Sequence, residues 1–456
     1  MYQNDKRYAL TNCVILDGSE HMEPQTGKAV CIDGEKIAEI TDAQHIPAGY
    51  ETVDLGGRYV LPGLINMHVH LPASGKPKKK ASDPKKLVKL ITSCGLMNKI
   101  GVNMCEGYAK TELLSGVTTI RTVGGVADYD TRIRDLAAAG KILAPRVLAS
   151  NMAVSVPGGH MAGSLAYEAH TAAEAAAFVE KIAGDKPNLI KLMITGGVLD
   201  AEVVGEPGVL RMPVEVAAAA CKAAHEVSLP VMAHVESTEG VKAALEAGVD
   251  TIEHGAPLTP EILELYRGAA GTQLEGRAPS VTCTISPALP FVLLDPKKTH
   301  STDTQKKNGD IVCSGIIESA RAALEAGVKV GLGTDSSCPF VTQYDMWREV
   351  AYFAKYVGVS NAFALHTATQ VNAELLGLDG ETGTIECGKA ADILVTRENP
   401  LDDLCALREP MHVMCRGDLV CKLKVKRIPE VDAELDAIMA MPAEALAEEL
   451  ARDGVA

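Results

Sequence analysis

From Tyr59 onward the chain alternates short apolar runs with helical stretches, and this rhythm constrains the fold more than any other feature. Strands that alternate with helices pair in parallel. Eight runs read as strands: Leu61–Met67, Val117–Val123, Arg146–Val154, Leu189–Thr195, Pro230–His234, Thr251–His254, Ser280–Ser286 and Lys329–Thr334. Helical patterns lie between most of them, among them Ala172–Ile182, Val214–Glu226 and Gly315–Ala326. Eight such units predict an α/β fold, a (β/α)8 TIM barrel with its active site at the C-terminal strand ends. The seven letters of Ala243–Val249 recur as Ala322–Val328, each time just before a strand. Gly248 and Gly327 then fall just past a helix end, where a positive φ is wanted.

The flanks of this region read as β structure. Tyr8–Leu16, Ala29–Asp33 and Lys36–Ile40 are divided by turn residues at Asp17-Gly18 and Asp33-Gly34. After a helix over Ser360–Leu376, strands return at Gly383–Ile385, Asp392–Val395, His412–Cys415 and Asp418–Val425. The expected organisation is a small β-sandwich built by 1–60 together with 380–428, a barrel over 61–379, and a helical tail over 429–456. The Ala/Glu-rich tail suits packing, or a contact in a homo-oligomer.

Hydrophobic residues at 47% and charged residues at 23% describe a globular chain with a sizeable core, and aromatics at 4% leave that core to Ala, Val, Leu and Ile. The balance of 44 basic against 59 acidic residues argues against nucleic acid as a partner. No apolar run reaches the roughly 18–20 residues that span a bilayer, so no membrane partner is expected. Asp5, Asp17, Glu20 and Glu23 break up the first thirty residues, which lack an apolar export segment. The 12 cysteines are scattered without a C-x-x-C pair. Together these features predict a cytoplasmic protein with reduced thiols.

The chemistry is concentrated at the strand ends. The first apolar run closes on His68-Val69-His70, and residues i and i+2 of a strand share a face, so two imidazoles stand side by side. That is half a divalent-metal site, or else two histidines bonded to backbone. Lys191 lies in the apolar run Leu189–Ile194. A buried lysine pairs with an acid, or as a neutral amine reacts with CO2 to give a carbamate that bridges two cations. His234, His254 and Asp335 end three later strands. Asp335 could both ligate a cation and transfer a proton.

The pattern His68-Val-His70, Ile190-Lys191-Leu-Met-Ile-Thr-Gly-Gly197, His234, Ile252-Glu-His254-Gly255 and Asp335 resembles the amidohydrolase superfamily over nearly the whole chain. Its two middle motifs look most like the prolidase-related branch of Xaa-Pro dipeptidases, carboxypeptidases acting on C-terminal Lys or Arg, and ochratoxin-type amide hydrolases. The resemblance implies that His68, His70 and Asp335 hold a more buried cation, that His234 and His254 hold a second, and that carboxylated Lys191 bridges them. The metal in that branch is usually zinc. It also implies that His160, in Val156-Pro-Gly-Gly-His160, contacts the substrate's carbonyl or carboxylate. The segment Val198–Pro213 departs from the branch. Within it Arg211 is a candidate for a substrate carboxylate, with a surface salt bridge as the plainer reading. His170, His225, His300 and His366 read as structural.

The implied activity is hydrolysis of an amide bond in a small molecule, a dipeptide or an N-acyl amino acid. A hydrolase of cyclic amides or imidazolones is the alternative. A nucleobase deaminase fits less well, because His234-Val-Glu236 lacks the His-x-x-Glu spacing and Lys191 would have no role. A member without catalysis would leave the full set of ligand residues unexplained. Seven lysines between Gly75 and Lys89 (76, 78, 79, 80, 85, 86 and 89) form a basic loop after the first barrel strand. It reads as a solvated loop or as a lid that attracts anionic substrates. If it is a lid, neutralising the lysines raises KM at low salt; an unchanged KM contradicts that role.

Overall fold

The computed structural model describes residues 7–77, 83–268, 273–420, 422–452 and 454. Its strands, in chain order, are β1 (Arg7–Ile15), β2 (Lys28–Asp33), β3 (Lys36–Asp42), β4 (Glu51–Pro62), β5 (Leu64–Val69), β6 (Val117–Thr122), β7 (Arg146–Leu148), β8 (Ala153–Ser155) and β9 (Ala166–Glu168). They continue with β10 (Ile190–Met193), β11 (Val231–Val235), β12 (Thr251–His254), β13 (Ser280–Cys283), β14 (Val330–Leu332), β15 (Ile393–Thr396), β16 (His412–Cys415) and β17 (Asp418–Val420).

Strands β5 to β14 build a parallel (β/α)8 barrel. One run of pairing is β5-β6-β7 and the other is β14-β13-β12-β11-β10-β8-β9. The third barrel strand is broken: β7 pairs with β6, and β8, past Asn151 at φ 60°, pairs with β10. The barrel closes where Val69 bridges Ser336 in parallel and the Asp335 amide donates to the His68 carbonyl at 2.9 Å. Strands β5, β6, β10, β11, β12 and β13 are buried along their whole length. Strands covered on both faces need continuous apolar runs rather than alternation, which is why these segments stand out in the sequence.

Both chain ends contribute to the second unit, with strand order β17-β16-β15-β4-β1-β2-β3. The β2–β3 turn passes through Gly34 at φ 58°, a conformation that costs glycine little. The sheet folds over, because edge residue Ile37 donates to Lys389 at 2.9 Å and accepts from Gly388 at 2.8 Å. Leu10, Val30, Ile32, Val60, Ile393 and Val395 fill the space enclosed.

Some expected elements differ. Strand β4 was not anticipated, because Glu51–Tyr59 is mostly polar and carries Gly56-Gly57; it forms by pairing in parallel with β1. Residues 383–385 form no strand, although Ile385 donates to the Asp17 carbonyl. The helix expected to begin at Gly315 begins at Asp303, where Thr302 and Gln305 form a capping box that starts a polar first half. The helix over Ser360–Leu376 is three consecutive segments, with a π turn at Thr367–Val371. Its buried Asn372 amide bonds to Ile65 and Leu332 on the two closing strands. The tail helices Pro429–Ala440 and Glu444–Arg452 pack Val431, Leu435, Ile438, Leu446 and Leu450 onto the barrel's core.

The barrel interior holds a charged layer. Arg121, 2% exposed, donates to the Met67 carbonyl at 2.6 Å, to Glu253 Oε1 at 2.6 Å and to Thr282 Oγ1 at 3.0 Å. The closing seam above it leaves no room for a side chain at Gly333, where a Cβ would lie 2.4 Å from His68 Cβ and 2.5 Å from its backbone nitrogen. Gly333→Ala therefore costs about 1–3 kcal/mol of stability, read as a lowered Tm in thermal unfolding; an unchanged Tm would show that the seam yields.

Candidate metal centre

His68 and His70 both turn Nε2 toward Asp335, with Oδ1 3.4 Å from each. Their Nδ1 atoms are already engaged, His68 with Glu253 Oε2 at 2.6 Å and His70 with the Gly124 carbonyl at 2.7 Å. A carbonyl only accepts, so Nδ1 of His70 carries the proton and Nε2 keeps its lone pair. His234 has the reverse arrangement. Its Nε2 donates to the Gly196 carbonyl at 2.7 Å, which leaves Nδ1 as the free nitrogen. His254 Nδ1 meets Thr284 Oγ1 at 2.7 Å, leaving Nε2 free.

These rings form an arc with His160. Centroids are 5.5 Å apart for His70–His68, 4.8 Å for His68–His254, 4.7 Å for His254–His234 and 4.3 Å for His234–His160. One ligand atom from each of His68, His254 and Asp335 lies within 4.8 Å of the other two. Two backbone irregularities aim the side chains. His254 has φ 69° and Asp335 has φ 57°, a region unusual for either residue and common at functional sites. At His254 this breaks the alternation along β12, so Glu253 and His254 both serve the interior.

Lys191 is 1% exposed, and its Nζ has no hydrogen-bond partner among the described residues. Burial lowers its pKa to about 8, against the opposing pull of Glu253 and Asp335. Burial also depresses His234 and His254 well below the usual imidazole range, assisted by neighbouring cationic groups, so both stand ready as neutral ligands. Asp335 behaves differently. Burial works to raise it, yet His68, His70 and His254 hold its carboxyl well below the usual range. Glu253 follows the same logic: burial opposes ionisation, and Arg121 and His68 bring it to about 2.

His160 stacks on His234 at 17° between planes and bonds through Nδ1 to Asp200 Oδ2 at 2.6 Å. This approach requires Gly197, since a Cβ there would lie 2.3 Å from His160 Nδ1. One cavity is lined by His68, His70, His160, Lys191, His234, His254 and Asp335, together with Glu236 and a largely apolar wall. Arg211 is not among the lining residues; it pairs with Glu206 at 2.5 Å. His225 pairs with Asp250, and His366 bonds to the Gly18 carbonyl. His170 and His300 also lie outside the lining. In the basic loop Lys76 pairs with Glu430 and Lys85 with Glu168, while Lys78, Lys79 and Lys80 fall outside the described residues.

Sequence reasoning missed Arg121, Glu236 and Glu253. Charges inside short β-branched strand runs, as in Thr118–Val123 and Thr251–His254, were the available signal for two of them. Glu236 was weighed only for its spacing from His234. Burial first, then Asp335 and Asp200, raise its pKa well above the carboxylate range.

Comparison with known proteins agrees with this architecture. Residues 59–420 match the amidohydrolase family and residues 7–60 match the NagA composite domain. The crystal structure of a candidate prolidase from Bifidobacterium longum is 37% identical over 96% of this chain and 100% of that one, with a TM-score of 0.84. A Xaa-Pro dipeptidase with methionine bound in its active site is 28% identical over 91% of this chain and 100% of that one, with a TM-score of 0.77. Ochratoxinase from Aspergillus niger is 26% identical over 49% of this chain, a match that spans only 44% of that protein. Imidazolonepropionase from Mesorhizobium japonicum is 26% identical over 76% of this chain and 80% of that protein. The chain belongs to the amidohydrolase family, in its prolidase-related branch, and is a hydrolase acting on carbon–nitrogen bonds.

Proposed function

We propose that this protein is a binuclear metal-dependent amidohydrolase that cleaves an amide bond in a dipeptide or an N-acyl amino acid. The observation that carries the reading is the orphaned Lys191 amine in a cavity lined by His68, His70, His234, His254 and Asp335. A buried amine without a partner is costly, and as a carbamate it gains two anionic oxygens that need cations. The donor set fits that group: Nε2 of His68, His70 and His254 and Nδ1 of His234 face inward, while their other nitrogens are held by protein partners. In this reading His68, His70 and Asp335 would hold one cation and His234 and His254 the other, and Lys191, as a carbamate, would supply ligand oxygens to both. Imidazole and carboxylate ligands suit zinc.

When bound, divalent cations polarise a carbonyl and make water acidic enough to attack near neutral pH. The chain's own residues then manage the protons and charge. Asp335, held ionised by its neighbouring imidazoles, takes the proton of the attacking water and delivers it to the leaving nitrogen as the C–N bond breaks. His160, fixed through Nδ1 by Asp200, presents Nε2 to the oxygen that gains charge or to a substrate carboxylate. Ring substrates are the second reading, favoured by the match to imidazolonepropionase over most of both chains.

A panel of dipeptides, N-acyl amino acids and cyclic amides tests this. Hydrolysis is expected for the acyclic members, and Asp335→Asn should lower kcat by about 10²–10⁴-fold. Substantial turnover by that variant contradicts the role of Asp335, and opening of rings alone selects the second reading.

A further inference from the structure

The cavity lining includes one carboxylate that the mechanism leaves unused. Glu236 follows β11, just before the helix Thr238–Glu246. Its side chain is 8% exposed, and Oε2 has no hydrogen-bond partner among the described residues. The nearest basic nitrogen found for it, His234 Nε2, is 3.9 Å away and already donates to the Gly196 carbonyl. No arginine is among the lining residues, and Lys191 is their only lysine. An acid oxygen buried without a hydrogen-bond partner is costly for the empty protein, and the cost is recovered when a ligand supplies an N–H.

The position of Glu236 narrows what that ligand is. Glu236 lines the same cavity as His234, whose Nδ1 faces the reaction space, so the ammonium it would meet belongs to a substrate whose scissile carbonyl is held in that cavity. In an amide substrate the nearest ammonium to that carbonyl is the one on the adjacent carbon, the free α-amino group of a dipeptide. An N-acyl amino acid would instead bring an aliphatic chain against the acid and leave it unpaired. The rest of the wall, including Met161, Leu199, Phe291, Val312 and Ile316, suits an apolar side chain.

We infer that Glu236 is the residue that recognises the free α-ammonium group, which makes the substrates dipeptides with an apolar N-terminal residue rather than N-acylated amino acids. This rests on the amide-hydrolase reading above and chooses between its two substrate classes. A charge-assisted hydrogen bond to a buried carboxylate is strong and directional, and a site that hydrogen-bonds a substrate N–H rejects analogues that lack it.

The test uses metal-replete enzyme with leucyl-alanine and leucyl-proline, each set against its desamino analogue (4-methylpentanoyl-alanine and 4-methylpentanoyl-proline), an N-acyl amino acid that lacks only the amine. The free dipeptide should be preferred by at least about 100-fold in kcat/KM, and Glu236→Gln should shrink that ratio to within about tenfold, with Glu236→Asp restoring part of it. A wild-type ratio near one, or a ratio that survives Glu236→Gln, overturns the assignment. If neither peptide is hydrolysed, the amide reading fails separately, and calorimetric titration of the same peptides decides. Tighter binding of the free dipeptide by wild type, lost in Glu236→Gln, supports the assignment; equal or absent binding overturns it. Should Glu236→Gln not fold, the wild-type ratio by itself still refutes the proposal when it is near one.

Discussion

The contact on which the site depends is the seam between the last barrel strand and the first. Asp335 donates its amide to the His68 carbonyl, and Val69 bridges Ser336, so the barrel closes at the position where two histidines and an aspartate must meet. Gly333 permits the approach, and Asn372 ties both strands to the helix behind them. Because the seam is backbone pairing between rigid strands, the side chains it aims arrive preorganised. Asp335 sits in a left-handed conformation that an isolated strand end would avoid, and the surrounding bonds hold it there.

Burial of charge is the second constraint, and the interior resolves it in two ways. Arg121, Glu253 and His68 satisfy one another, so Glu253 stays ionised and fixes the His68 ring. Among the described residues, Lys191 Nζ and Glu236 Oε2 have no hydrogen-bond partner. An interior that pairs one set of charges closely and leaves two others open reads as a site built to receive its missing partners. On the proposed reading, cations and CO2 answer for the lysine and a substrate ammonium for the glutamate.

Much of this was legible in the sequence. Parallel strands buried on both faces leave continuous apolar runs, so all eight barrel strands were visible, and the six residues proposed to hold metal line one cavity. The less legible parts depend on contacts between distant segments. Strand β4 begins with a polar run and forms between β1 and β15, and the capping box that starts the Asp303–Glu325 helix precedes its apolar half by a full turn or more. Glu253 and Glu236 escaped notice because their importance lies in what faces them across the barrel. Arg211 shows the converse: a charge in an unusual segment that the fold pairs with nearby Glu206.

The most direct test of the central claim is a metal count on protein purified without chelator, combined with a carbon-13 spectrum after exchange with labelled bicarbonate. The account predicts about two divalent cations per chain and a carbamate signal that disappears in Lys191→Ala together with bound metal. A single cation with no carbamate signal would mean that Lys191 remains a free amine, and the binuclear site would be contradicted.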